Sequence, residues 1–339
     1  MRRSIGSLLR RYHHALSPQG SISQGQFDKQ VVVIMGATGT GKTRLSIDIA
    51  RQFSGEVVNS DKIQLYSGLD ITTNKVPVPD RLGVPHHLLG SIPASSGELS
   101  PDNYRRLATA TISSISSKHK LPVIAGGSNS LIHALLSDPF RPGYNPFFDQ
   151  RTSFYRPGLR YDCCMVWVDV EKEVLVEYLD KRVDEMVEIG MVEELREYFK
   201  KEKREREMHK GLGMAIGVPE LERYFEGRRS LGDALDEIKE NTRELAMVQV
   251  GKIEKMRGEW RWPIKRLDAT EVVRAKLRGE GKLVEYDRWD RLVLRPCAES
   301  VRDFLLDGAA EEGRREIDGC TWSKCVHGAP MAMKSGTHG

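Results

Sequence analysis

The segment VVVIMGATGTGKT at 31–43 constrains this chain more than any other stretch. A β-branched run at 31–35 closes on Gly36, and the LSIDIARQF that follows sets Leu45, Ile49 and Phe53 on one helical face. Strand, glycine-rich loop and helix in that order, with GATGTGKT matching GxxxxGK[ST], make a phosphate cradle. The backbone N–H groups of Gly36, Ala37, Thr38, Gly39, Thr40 and Gly41 can wrap a diphosphate, while Lys42 supplies a point charge and Thr43 a hydroxyl for Mg2+. The motif specifies phosphate and leaves the reaction open.

Three more short apolar runs end in small or polar residues. The run at 57–59 ends at Ser60 and Asp61, that at 121–125 at Gly126 and Gly127, and that at 163–168 at Asp169. Alternating with helical patterns, they predict an α/β fold: a P-loop NTPase-like parallel sheet covered by helices, with ligands gathered at the strand C-termini. From Glu171 to Phe199 the spacing becomes that of amphipathic helix, with a break at Gly190, and another helix is predicted from Leu231 to about Met256. A smaller helical annex over about 171–260 follows, then a last strand and turn in WRWPIKRLDAT. The catalytic domain is expected to span 31–295, and the Gly-, Glu-, Arg- and Ser-rich stretch at 296–339 to be a poorly ordered tail.

Composition narrows the partners. The 52 basic and 48 acidic residues nearly balance, which argues against the basic stripe of a nucleic-acid binder, so no stable nucleic acid partner is expected. No stretch approaches the roughly 20 apolar residues of a bilayer span, and no membrane partner is expected. Five cysteines, two of them adjacent in the apolar run YDCCMVWVDV, read as buried thiols in a reducing compartment. Residues 1–27 carry four Arg and several Ser but no Asp or Glu. That is transit-peptide composition, so residues 1–30 are read as a plastid leader or a disordered N-terminus, with mitochondrion and cytoplasm as alternatives. Cys320, Cys325, His327 and His338 are too awkwardly spaced for a zinc finger.

No guanine-reading NKxD is present, and Asp61 or Asp169 can imitate the magnesium-binding Asp of a P-loop ATPase, so these residues alone also allow a small-molecule kinase. The choice narrows with NSDKIQLYSGLDITTNK after the second strand, GVPHHLL at 83–89, AGGSNSLIHALL at 125–136, KRVDEM at 181–186 and AIGVPE at 215–220. In this order, from about Val31 to Glu271, the sequence closely resembles the isopentenyltransferases. That family includes tRNA dimethylallyltransferases and the adenylate enzymes of cytokinin synthesis. The wording is nearer the plant adenylate branch: where tRNA enzymes carry a basic TRQYAKRQ-like helix, this chain has NTRELAMVQVGK, with Glu244, Ala246 and Met247 replacing part of that charge, and Met214 stands where an Arg is usual.

The resemblance implies transfer of a dimethylallyl group from its diphosphate to N6 of ATP or ADP, with AMP also a candidate acceptor, and tRNA dimethylallylation as the alternative. It implies Asp61 as the base, Lys42, Arg182 and Mg2+ on Thr43 meeting the leaving diphosphate, and Thr38 near the breaking C–O bond. Thr73 and Lys75 are expected to bind phosphate, and Ser60, Ser128 and Asn129 to lie against the acceptor nucleotide. His86 and His87 are read as loop structure.

Overall fold

The computed structural model describes residues 29–147, 155–201 and 206–308. Strand β1 (Gln30–Met35) is buried along its whole length, its side chains alternating between two cores. Val31, Val33 and Met35 enter one, Val32 and Ile34 the other. A parallel strand covered on both faces has no polar side to show, which is why it reads as an unbroken apolar run.

Around β1 lie β2 (Gly55–Asn59), β3 (His86–His87), β4 (Leu121–Ala125), β7 (Asp162–Asp169) and β8 (Ile264–Asp268), in the order β3-β2-β4-β1-β7-β8. All the pairings are parallel: Val33 stands opposite Ile124 of β4 on one side and Met165 of β7 on the other. A separate antiparallel ribbon joins β5 (Ser137–Asp138) to β6 (Gly158–Leu159). Because the sheet grows from β1 in both directions, a crevice opens at the carboxyl end of β1, where ligands of open α/β sheets bind.

Helix α1 (Lys42–Gln52) follows the P-loop and buries Leu45 and Ile49. Helix α2 (Pro101–Ser116) starts on a Ser100 cap, whose hydroxyl accepts from Asn103 N–H, and α3 (Asn129–Leu136) leaves the β4 glycines. The expected annex is present as α4 (Lys172–Glu188), α5 (Met191–Phe199), α6 (Val218–Phe225) and the 28-residue α7 (Leu231–Gly258). The break falls at Gly190, as the sequence predicts.

Two further helices, α8 (Thr270–Leu277) and α9 (Lys282–Trp289), precede a π-helical turn at Asp290–Leu294. The chain then stays helical over 295–308, with Cys297, Val301 and Leu305 in the core beside β1. The expectation of a poorly ordered tail from 296 is corrected for this stretch: its apolar residues recur every fourth position among charged ones and make a narrow buried stripe. Residues 309–339, with the dismissed zinc-finger positions, and residues 1–28 of the expected leader lie outside the described residues. Cys163, Cys164 and Cys297 are free thiols, and burial raises the pKa of all three.

Candidate active site

The P-loop leaves β1 and turns into α1 at Gly41, whose φ of 99° favours glycine. A Cβ there would also come within 2.9 Å of the Trp289 ring, so the turn is closed in by α9. Inside the loop, Thr40 Oγ1 and Lys42 Nζ both donate to the Ala37 carbonyl, at 2.9 and 2.6 Å. Beside it opens a cavity of about 430 Å³, lined by residues 38–43 of the loop, by Asn59 and Asp61 at the end of β2, by Tyr178 and Arg182 of α4, and by Lys276, Glu285 and Trp289 of α8 and α9.

Asp61 is the carboxylate of this cavity whose charge acts on both Lys42 and Arg182. Its Oδ1 accepts from Ile63 N–H at 3.2 Å and its own N–H donates to Asn59 Oδ1, so the carboxylate sits in a fixed turn. Asn59 is itself anchored on the Leu88 carbonyl at 2.9 Å. Burial draws Lys42 down to about 8, the Asp61 charge opposing the shift and Arg182 adding to it. Burial lowers Arg182 too, against the fields of Tyr178, Asp61 and Glu185. Three charges from β2, α1 and α4 therefore share one electrostatic field, and Arg182 Nη1 donates to Thr38 Oγ1 at 3.1 Å. Thr38, Asp61, Lys42 and Arg182 meet in one site, as expected.

Thr43 is exposed on the cavity wall beside Lys42, where its hydroxyl is open to a hard cation held jointly with phosphate oxygens. Among the described residues no cluster of three or more His, Cys, Asp or Glu side chains offers a metal site of its own.

Other expected residues are placed differently. Lys75 is 9% exposed and spends its ammonium on the Gly68 carbonyl, Asp70 and Thr73 Oγ1, while Thr73 Oγ1 donates to the Leu69 carbonyl. The pair holds its own loop shut, and neighbours Asn74 and Val76 line the cavity instead. Ser60 is fully enclosed, the Ser128 hydroxyl accepts from Lys62 N–H, and Asn129 Nδ2 donates to the Gln249 carbonyl. These three tie β2, α3 and α7 together behind the cavity.

His87 meets Glu56 at 2.6 Å as a structural pair, whereas His86 joins the cavity wall with Nδ1 donating to the Val84 carbonyl. Gln249 was not anticipated. It is 6% exposed on α7, and its Oε1 accepts the Thr38 N–H of the P-loop at 2.8 Å. The signal was there: Gln249 is a polar residue on the face where α7 buries Ile238, Ala246, Ile253 and Met256, and a buried amide on an apolar face needs a partner.

A phosphate-gripping loop at the switch point of a parallel sheet, facing a carboxylate flanked by two cations, defines a P-loop α/β protein built to handle a phosphorylated ligand. The profile of the IPP transferase family matches residues 64–153 and 142–254. An adenylate isopentenyltransferase of Humulus lupulus is 47% identical over 294 residues, covering 80% of this chain and 89% of that protein. The chloroplastic adenylate isopentenyltransferase 1 of Arabidopsis thaliana is 44% identical over 301 residues, covering 84% of each. In fold, a eukaryotic dimethylallyltransferase acting on tRNA superposes with a TM-score of 0.69 at 24% identity, over 82% of this chain and 80% of that one. The chain belongs to the IPP transferase family.

Proposed function

We propose that this protein transfers a dimethylallyl group from dimethylallyl diphosphate to the N6 amine of an adenine nucleotide, releasing diphosphate, as the names of its plant relatives suggest. The observation that carries the reading is the placing of Asp61 across one cavity from Lys42 and Arg182. N6 is a weak nucleophile because its lone pair is delocalised into the purine. As N6 bonds to C1 of the donor, the C1–O bond breaks, the electron pair leaves with the diphosphate, and an N6 proton passes to Asp61. A positioned carboxylate is worth roughly a hundred- to ten-thousandfold in such a step. The charge growing on the leaving group is met by Lys42, by Arg182 and by the loop N–H groups, the larger contribution in reactions of this kind.

Mg2+ belongs to this reading: Thr43 would help to hold it, and it would supply further counter-charge for the diphosphate. In this reading ATP and ADP are the preferred acceptors, with AMP a further candidate. The Arg- and Ser-rich, acid-free N-terminus and the chloroplastic naming of one relative support a plastid location. Incubating purified protein with dimethylallyl diphosphate, Mg2+ and, in turn, ATP, ADP, AMP and an anticodon stem-loop, followed by mass spectrometry, tests the function. Prenylated free nucleotide is the expected product; modification of the RNA alone would overturn the acceptor, and phosphoryl transfer without prenylation would overturn the reaction.

A further inference from the structure

Gln249 has one bonded end and one open end. Oε1 takes the Thr38 N–H, which needs an acceptor, so the amide cannot be turned over and Nε2 must face away from the loop. No hydrogen bond joins Nε2 to any described residue, although the residue is only 6% exposed. The protein does not close Nε2 off, so this donor is open to an acceptor from outside the chain.

Its surroundings say what that is. A Cβ on Gly127 would stand 2.5 Å from Gln249 Nε2 and 3.6 Å from Asp61 Oδ2, so the free donor and the carboxylate converge on the gap left by that missing side chain. Lys42 and Arg182 are the charged donors for phosphate at this site, whereas Gln249 Nε2 is neutral. A neutral donor beside a carboxylate matches a flat ligand that offers a hydrogen and a lone pair on adjacent atoms. The 6-aminopurine edge does so, with N6–H for Asp61 and N1 for an amide N–H. A 6-oxopurine reverses both, placing O6 against the carboxylate and N1–H against the amide.

Resting on the proposed prenyl transfer to adenine, we infer that Gln249 Nε2 donates to adenine N1 and, paired with Asp61, selects 6-aminopurines while fixing N6 for attack. Gln249 thereby links the acceptor base to the P-loop through Thr38.

The test compares ATP, 1-deaza-ATP, which lacks the N1 lone pair, and 7-deaza-ATP, which keeps it, in kcat/KM and in equilibrium binding. With the native enzyme 1-deaza-ATP should fall about ten- to a hundredfold below 7-deaza-ATP, the range expected when a buried donor loses its partner. In Gln249→Glu, which keeps an acceptor for Thr38 N–H but loses the amide donor, that ratio should collapse toward one. Gln249→Leu should collapse the ratio and also raise the donor KM, because the P-loop loses its prop. A native enzyme indifferent to 1-deaza substitution, or a ratio that survives in both variants, would overturn the contact and leave Gln249 a prop of the P-loop. If no adenine compound is prenylated at all, the failure lies in the proposed reaction, and the binding ratio still judges the contact separately.

Discussion

Burial draws Lys42 down to about 8, which gives donor capture a pH limit. Below that value the ammonium is charged and meets the diphosphate; above it the free enzyme presents a neutral amine. We expect kcat/KM for dimethylallyl diphosphate to decline as pH rises through about 8, and the inflection to disappear in Lys42→Ala, as initial rates at low donor concentration would report. Under saturating donor the limb should move upward, since a bound diphosphate favours the charged lysine. For Asp61→Asn we expect kcat to drop roughly a hundredfold or more while nucleotide affinity stays within a few-fold. The amide oxygen can still accept from Ile63 N–H, so the turn survives the change; near-native turnover would remove Asp61 from the base role. At this scale the sequence was informative wherever a residue sits in a motif, as Thr38, Lys42, Asp61 and Arg182 do. It said little about Gln249, whose role depends on a helix some 200 positions away folding back onto the loop.

Helix α9 makes the same point for elements. Trp289 is 2% exposed, donates its indole N–H to Asp48 at 2.9 Å and lies under the Arg44 guanidinium at 4.5 Å. It packs against α1 and against Gly41 of the P-loop. Trp289→Ala should cost about 3–5 kcal/mol in denaturant unfolding, the usual range for emptying so large a site. Donor KM should rise with it, because Gly41 loses the wall behind its turn; unaltered stability would mean that α9 only leans on α1. None of this was visible in a stretch where half the residues are charged. Short buried strands such as β4 were read to the residue because both faces are apolar. The two-residue β3 is too short to leave a pattern, and α2 buries Tyr104, Ala108, Ile112, Ile115 and Ser116 on a face that mixes large and small residues.

The α/β class and the helical annex were legible from the order of periodicities, whereas the strand order was not, since pairing between distant segments leaves no local pattern. Stability of the whole molecule against acid should depend partly on His133, which is 3% exposed and boxed in by Phe147, Tyr155, Trp260 and Trp262. Burial, reinforced by Arg105, lowers its pKa from 6.5 to about 4. The unfolded chain therefore takes up a proton below about 6.5 that the folded one refuses. Stability falls as pH drops from about 6.5 to 4 and levels off below, by up to roughly 3 kcal/mol at about 1.4 kcal/mol per unit. The difference in unfolding free energy between the native protein and His133→Gln across that window isolates this share, and parallel curves would exclude it.

The place of β1 sets a schedule for the newly made chain. Synthesis delivers β1, then β2, β3 and β4 on one flank, and only after these the strand for its other edge, β7 at Asp162–Asp169, with the helix beside Gln30 later still. Until then half the sheet waits with a bare, apolar central edge, the kind of surface that chaperones shield and that neighbouring copies can pair with. A phosphate cradle walled by α8 and α9 is incomplete until more than two hundred residues beyond β1 have been made.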